Sequence, residues 1–211
     1  MKKQRFRIKP RNSEQGLALV HLLNDDKKLV ILKGPAGTGK TLLAIAAGLQ
    51  KVQDGAYDRV LVSRPVIPLE GEDVGFLPGT VEEKLLPWLS PIYDNIEVLG
   101  VDPEALIRDG FLKAEALAFI RGRSINNQYM IIDEAQNLSP LAVKTILTRA
   151  GEGTKVVLTG DPDQIDVPGL NKEDNGLSVA AARFQEQPIA AVHELTQCER
   201  SELAALAAQL L

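Results

Sequence analysis

Short apolar runs recur along this chain, and most are followed by a segment with helical spacing. Runs of four or five apolar residues are typical of buried strands, and apolar residues recurring every three or four positions predict helices. The predicted strands are 29–32, 59–63, 129–132, 155–159 and 191–195. The predicted helices are 17–23, 41–52, 92–99, 103–108, 113–120, 140–150, 177–185 and one that ends at 211. This alternation predicts a single α/β domain over residues 1–211 with a mostly parallel sheet flanked by helices.

Two stretches depart from the alternation. Residues 5–9 alternate basic and apolar side chains, which predicts an exposed edge strand, and an arm that binds RNA or phosphate is the other interpretation. Residues 66–91 contain four prolines and three glycines but are too apolar for disorder, so we expect an ordered insertion there. Such an insertion would contact nucleic acid or another subunit.

A phosphate-binding loop follows the first predicted strand. The pattern G-x-x-x-x-G-K-[ST] is matched by Gly34, Pro35, Ala36, Gly37, Thr38, Gly39, Lys40 and Thr41. Glycines let backbone N–H groups turn inward around phosphate oxygens, and the next helix adds partial positive charge at the same place. We expect Lys40 to reach the β- and γ-phosphates and the Thr41 hydroxyl to bind Mg²⁺.

Two adjacent carboxylates, Asp133 and Glu134, end the apolar run 129–132. Buried carboxylates side by side are costly without a cation, which favours a metal-assisted site over an acidic turn. Asp133 would hold Mg²⁺ through a water and Glu134 would polarise the attacking water. The second carboxylate favours hydrolysis over kinase chemistry, which needs an acceptor alcohol.

Four further residues are candidates for the same site, each with an alternative interpretation. Gln164 would either sense the γ-phosphate or simply lie in a Pro-Asp turn. Arg64 would either contact a nucleic-acid phosphate or pair with a carboxylate. Arg200 would be an arginine finger or a helix-capping arginine. Gln15 lies upstream of the loop, as in the glutamine motif by which helicases read adenine, since an amide pairs with both groups of an adenine edge.

Composition narrows the remaining choices. The 211 residues suffice for one α/β domain and not for two complete motor domains. The net charge of −4 gives no indication that the surface as a whole binds nucleic acid. The single cysteine, Cys198, suits a reducing cytosol, so we expect a cytoplasmic protein. His21 and His193 have no partners at metal spacing. Neither a signal peptide nor a membrane span is expected.

The motifs together resemble the PhoH-like ATPase family. The matching stretches are GPAGTGKTLLAIAAGL, SRPVIPLEGEDVGFLPG, EEKLLPW, FIRGRSINN, MIIDEAQNLSP, VKTILTRAGEGTK, VLTGDPDQID, NGLS and ERSELA. They cover nearly the whole chain, and the likeness is greatest to the ATPase half of proteins that join a PIN-type ribonuclease domain to a PhoH domain. No PIN-sized region precedes the motifs, so no ribonuclease activity is expected. Residues 168–171 are Pro-Gly-Leu-Asn where those relatives have Pro-Tyr-Leu-Asp, which leaves that loop's aromatic without a counterpart.

The resemblance implies a RecA-like P-loop NTPase core with helicase-like motifs, ATPase activity, association with RNA and a hexameric ring. It implies ATP binding by Gly34, Gly37, Gly39, Lys40 and Thr41, a Mg²⁺ site at Thr41 and Asp133, and catalytic roles for Glu134, Gln164 and Arg200. With one motor domain per chain, we expect Arg200 to reach a neighbouring subunit's ATP. The alternatives are a nucleotide-regulated assembly module that acts on proteins without RNA, and a small-molecule kinase.

Overall fold

One parallel sheet forms the centre of the molecule. The computed structural model describes residues 6, 8–65, 81–120 and 122–199. Its strands are β1 Leu29–Lys33, β2 Arg59–Arg64, β3 Leu112–Ala116, β4 Gln128–Ile132, β5 Lys155–Gly160 and β6 Ala190–Glu194. Their order is β3-β2-β4-β5-β1-β6 and all five neighbouring pairs are parallel, which confirms the predicted α/β class.

Helices cover both faces of the sheet. They are α1 Ser13–Leu23, α2 Lys40–Gln53, α3 Val81–Val98, α4 Pro103–Arg108, α5 Pro140–Leu147 and α6 Gly176–Phe184, with 3₁₀ turns at Leu117–Ile120 and Ala135–Asn137. Successive strand residues point to opposite faces, so Val30 packs with α1 to α4 and Ile31 with α5 and α6. This double burial explains why residues 29–32 of β1 and 129–132 of β4 are uninterrupted apolar runs. No helix in the described part of the chain is long and apolar enough to span a membrane.

The predicted helix at 113–120 is wrong. Its first half is β3 and its second half the turn Leu117–Ile120. The composition, rich in Ala, Leu and Glu, favours a helix, but Leu112 and Ala116 are buried at the sheet edge and pair in register with Val60 and Arg64 of β2. Pairing with a neighbouring strand therefore overrides local propensity here.

Two further differences concern the residues before α1 and those around α3. Phe6 is a buried core residue, and neither it nor Ile8 lies in a strand, so the predicted edge strand is not formed by the described part of 5–9. The helix expected at 92–99 begins at Val81, so it runs through two proline positions, 87 and 91. Asn95 donates to the carbonyl of Pro91 at 2.6 Å. Residues 66–80 of the expected insertion lie outside the described residues.

Buried polar groups fasten α1 to the sheet. Lys155 Nζ donates to the carbonyls of His21 and Asn24 at the end of α1, both at 2.8 Å, and burial lowers the pKa of Lys155 to about 7. His21 Nδ1 lies 2.8 Å from Nε2 of His193 in β6, a contact that spacing along the chain did not predict. Burial lowers the pKa of His193 to about 4, so His193 is uncharged at neutral pH, and burial also lowers the pKa of His21. The end of α1 is thereby held against β5 and β6.

Two helical glycines give a matched test of the packing. A Cβ at Gly48 in α2 would lie 2.8 Å from Cδ1 of Tyr129, whereas a Cβ at Gly16 in α1 would meet nothing within 4 Å. We expect Gly48→Ala to lower the free energy of unfolding by about 1 kcal/mol, because overpacking outweighs the gain in helix propensity. Gly16→Ala should raise it by about 0.5–1 kcal/mol. Urea denaturation measures both, and equal stabilisation by the two changes would contradict this packing.

Candidate nucleotide-binding site

The segments that follow β1, β2, β4 and β5 surround one cavity of about 350 Å³ at the carboxyl edge of the sheet. Ligands of open α/β sheets bind at this edge. The lining comprises Ala36, Gly37, Gly39, Lys40, Thr41, Leu42, Arg64, Pro91, Asn95, Asp133, Glu134, Gly160, Asp161 and Gln164. The structure therefore brings together the predicted loop, both carboxylates, Gln164 and Arg64.

The loop between β1 and α2 requires glycine at two positions. Gly34 has a φ of 142°, and a Cβ there would lie 1.9 Å from the carbonyl oxygen of Leu195. Gly39 has a φ of 85° and is the N-cap of α2 without a side-chain capping bond. The first N–H groups of α2 are thus available to an anion in the cavity.

Lys40 is folded back on the loop. Its Nζ donates to the carbonyls of Gly34 at 2.7 Å and Pro35 at 2.8 Å, and the residue is 9% exposed. The Thr38 hydroxyl also donates to the carbonyl of Pro35, at 3.0 Å. The ammonium is therefore held within the loop, next to the space that a phosphate chain would occupy.

Asp133 is the best-anchored carboxylate of the site. It is 5% exposed, and its Oδ1 accepts hydrogen bonds from Thr41 Oγ1 at 2.7 Å and Thr159 Oγ1 at 2.6 Å. A hydroxyl and a carboxylate are oxygen ligands of the kind that Mg²⁺ prefers. Mg²⁺ commonly takes few protein ligands and completes its shell with phosphates and water, so the pair fits this ion.

Glu134 stands in the left-handed region at φ 53° and opens the turn Ala135–Asn137. Its Oε1 accepts from Arg64 Nη2 at 3.2 Å, and its Oε2 accepts from Gln136 Nε2 at 2.6 Å. The carboxylate projects into the cavity beside Asp133. Arg64 thus pairs with a carboxylate, as one interpretation expected. It also lies at the carboxyl edge of the sheet, where the other interpretation, contact with a nucleic-acid phosphate, places it.

Gln136 is a site residue that sequence reasoning missed. It is fully buried, and besides Glu134 it donates to the carbonyl of Gln164 at 2.9 Å and accepts from the N–H of Asp161 at 3.2 Å. The amide thus joins the turn after β4 to the turn after β5. A glutamine two residues after the carboxylate pair was the available signal, because a buried amide must find several partners.

Gln15 lies against the opposite side of the loop. It is 5% exposed, donates to the carbonyl of Thr38 at 3.0 Å and accepts from the N–H of Arg11 at 2.9 Å. It also borders a second cavity of about 390 Å³, which Leu42 and Leu99 line with apolar surface. Reading of adenine by Gln15 stays a prediction.

Arg200 lies outside the described residues, so its role as a finger also stays a prediction. The preceding Glu199 donates its N–H to the carbonyl of Gly37 at 2.9 Å. Arg123 donates to Glu115 Oε1 at 2.9 Å. Its side chain is about half exposed.

A parallel sheet with this loop after β1 and an acidic pair after β4, with β5 between the two strands, defines a P-loop NTPase. The family described as PhoH-like protein matches residues 7–211, and the chain belongs to this family. It is 53% identical over 211 residues to Protein PhoH2 of Bacillus subtilis (strain 168), covering 97% of this chain and 48% of that protein. Protein PhoH2 of Mycolicibacterium smegmatis is 39% identical, with 98% and 48% covered. The chain thus spans about half the length of these relatives.

Two solved structures resemble the chain, and the first of them supports the fold. The UvsW helicase from bacteriophage T4 aligns with a TM-score of 0.52 at 12% identity, over 89% of this chain and 61% of that one. The Pif1 helicase from Candida albicans aligns with a TM-score of 0.46 at 17% identity, over 90% and 40%. The first likeness places the sheet among RecA-like domains.

Proposed function

We propose that this chain hydrolyses ATP with Mg²⁺, and that a ring of such chains couples hydrolysis to the remodelling or unwinding of RNA in the cytoplasm. The observation that carries the ATPase proposal is the bond between Thr41 and Asp133 in a cavity that also contains Lys40 and Glu134. These groups are what binding and hydrolysis of a triphosphate require.

Binding begins at the loop. The N–H groups of the loop and of the first turn of α2 would donate to the β- and γ-phosphates. Lys40 would exchange the carbonyls of Gly34 and Pro35 for phosphate oxygens. Charged acceptors form stronger hydrogen bonds than neutral carbonyls, so this exchange favours the nucleotide.

The residues that would hold Mg²⁺ are Thr41 and Asp133. The ion, when bound, neutralises charge on the phosphates. Thr159 keeps the Asp133 carboxylate in place through its hydrogen bond to Oδ1. Asp133 therefore needs little rearrangement when the nucleotide arrives.

Hydrolysis requires a water aligned with the γ-phosphate. Glu134 would orient this water and accept its proton as the new bond to phosphorus forms and the β–γ bridging bond breaks, giving ADP and phosphate. Gln164 borders the cavity with Glu134 and would contact the γ-phosphate. Arg200 of a neighbouring subunit would stabilise the charge that develops.

The RNA part of the proposal is supported by membership of the PhoH-like family and by basic groups at the carboxyl edge of the sheet, Arg64 and Arg123. Both guanidiniums are partly exposed and each is paired with one carboxylate. Phosphate groups of RNA are the natural competitors for such cations.

Two variants test the catalytic assignment. Lys40→Ala should lose ATP binding, because the ammonium that meets the phosphates is gone. Glu134→Gln should bind ATP with nearly unchanged affinity but hydrolyse it at least 100-fold more slowly. Binding of a fluorescent ATP analogue and release of phosphate measure the two effects, and EDTA should abolish turnover of the unaltered protein. Full turnover by Glu134→Gln would refute its role as base.

The effect of RNA on the rate of ATP hydrolysis distinguishes the proposed RNA-coupled ATPase from an assembly module that acts on proteins. Hydrolysis should rise on adding single-stranded RNA, and the rise should shrink between 50 and 200 mM salt as counterions compete. Arg123→Ala should weaken the stimulation, whereas Arg108→Ala, which removes an exposed arginine from the end of α4, should not. If RNA leaves the rate of ATP hydrolysis unchanged at every salt concentration, the result would favour the assembly module that acts on proteins.

Mixing variants tests the ring. Arg200→Ala chains retain an intact phosphate loop, and Lys40→Ala chains retain Arg200. If the finger acts between subunits, a mixture should hydrolyse ATP faster than either variant alone, because hybrid interfaces contain one complete site. Mass measurement in solution should find the hexamer. A mixture no more active than its components would contradict action between chains.

A further inference from the structure

The general base of the proposed reaction is engaged on both of its oxygens. Arg64 Nη2 lies 3.2 Å from Oε1 of Glu134, and Gln136 Nε2 lies 2.6 Å from Oε2. Each oxygen keeps a further lone pair, but two protein donors together fix the direction in which the carboxylate points. One of these two donors must yield if the carboxylate is to turn toward the attacking water.

Gln136 is the fixed donor of the two. It is fully buried, and its amide also bonds to the backbone of Asp161 and Gln164. Moving it would leave the buried N–H of Asp161 without this partner, which is costly. Gln136 therefore keeps Glu134 in place throughout.

Arg64 is the donor that can move. Its side chain is 24% exposed, it borders the cavity, and its bond to Glu134 is the longer one. Partly exposed ion pairs are weak enough to be exchanged for another anion. A guanidinium also matches a phosphate with two parallel hydrogen bonds, which this single-nitrogen contact with Glu134 does not use.

The sheet order indicates which phosphate Arg64 would meet. Arg64 ends β2, while the phosphate loop follows β1, and β4 and β5 lie between them. Three strand spacings separate the two ends by roughly 14 Å. Glu134, which follows β4, lies between the loop and Arg64. A nucleotide held by the loop is thus on the other side of Glu134, which favours a phosphodiester from outside.

We propose that Arg64 is a positioning residue: it restrains the Glu134 carboxylate until a phosphodiester of single-stranded nucleic acid binds its guanidinium and frees the carboxylate. This rests on the proposed ATPase function. It explains how a nucleic acid that never contacts ATP would accelerate hydrolysis, since the ligand acts only through the base. Nucleic acid would shift an existing balance between restrained and free Glu134.

Steady-state kinetics of three variants test the restraint. Arg64→Ala should raise kcat without RNA about threefold to tenfold, up to the rate of the unaltered protein with single-stranded RNA. RNA should then add little, and KM for ATP should change less than twofold. Arg64→Gln should behave similarly, and it replaces Arg64→Ala in the test if the alanine variant folds poorly. Arg59→Ala removes an exposed arginine from the opposite end of β2 and should leave all rates unchanged.

Two other outcomes would overturn the proposal. An unchanged basal kcat with lost stimulation would make Arg64 a plain nucleic-acid contact. A fallen basal kcat with a KM raised tenfold would make it a ligand of the nucleotide itself. Failure of the ATPase proposal would be distinguishable from failure of the Arg64 proposal. In that case Glu134→Gln would not impair hydrolysis, whether or not Arg64 is also substituted.

Discussion

The hydrogen bonds to one oxygen of Asp133 are the interaction on which the site depends. Oδ1 accepts from Thr41, at the start of α2, and from Thr159, at the end of β5. The Asp133 N–H donates to the carbonyl of Ser63 in β2 at 2.9 Å. A carboxylate that is 5% exposed would be costly without such partners. One residue therefore joins segments from four neighbouring strands, and small shifts of any strand end would disturb the same point.

The close approach of backbone segments explains why this edge of the sheet holds its shape. Gly34 and Gly160 end or follow adjacent strands, and the Gly34 N–H donates to the carbonyl of Gly160 at 3.2 Å. A Cβ at Gly160 would lie 2.3 Å from Oε1 of Gln136. The loop that turns toward phosphate and the amide that holds the base thus touch the same short stretch of β5. This close packing restrains the backbone around the site.

The features of the fold and site whose residues lie close together in the sequence could be predicted from it. The phosphate loop, Asp133 and Glu134 lie next to the strands that position them, so local pattern sufficed for their placement. β3 could not be predicted, because its Ala and Leu residues become a strand only beside β2. The partners of Arg64 and the fastening of α1 by Lys155 join residues 70 and more than 100 positions apart, and no local pattern reports such contacts.

Gln15 illustrates how a residue predicted for one role can support a second. Its amide has two donor hydrogens and two acceptor lone pairs, and its observed bonds to Thr38 and Arg11 use one of each. It can therefore brace the phosphate loop and still meet an adenine edge in the adjoining cavity. A base that bound there would engage the same side chain that braces the loop. Recognition of the base would then act directly on the backbone that holds the phosphates, because a single amide spans both.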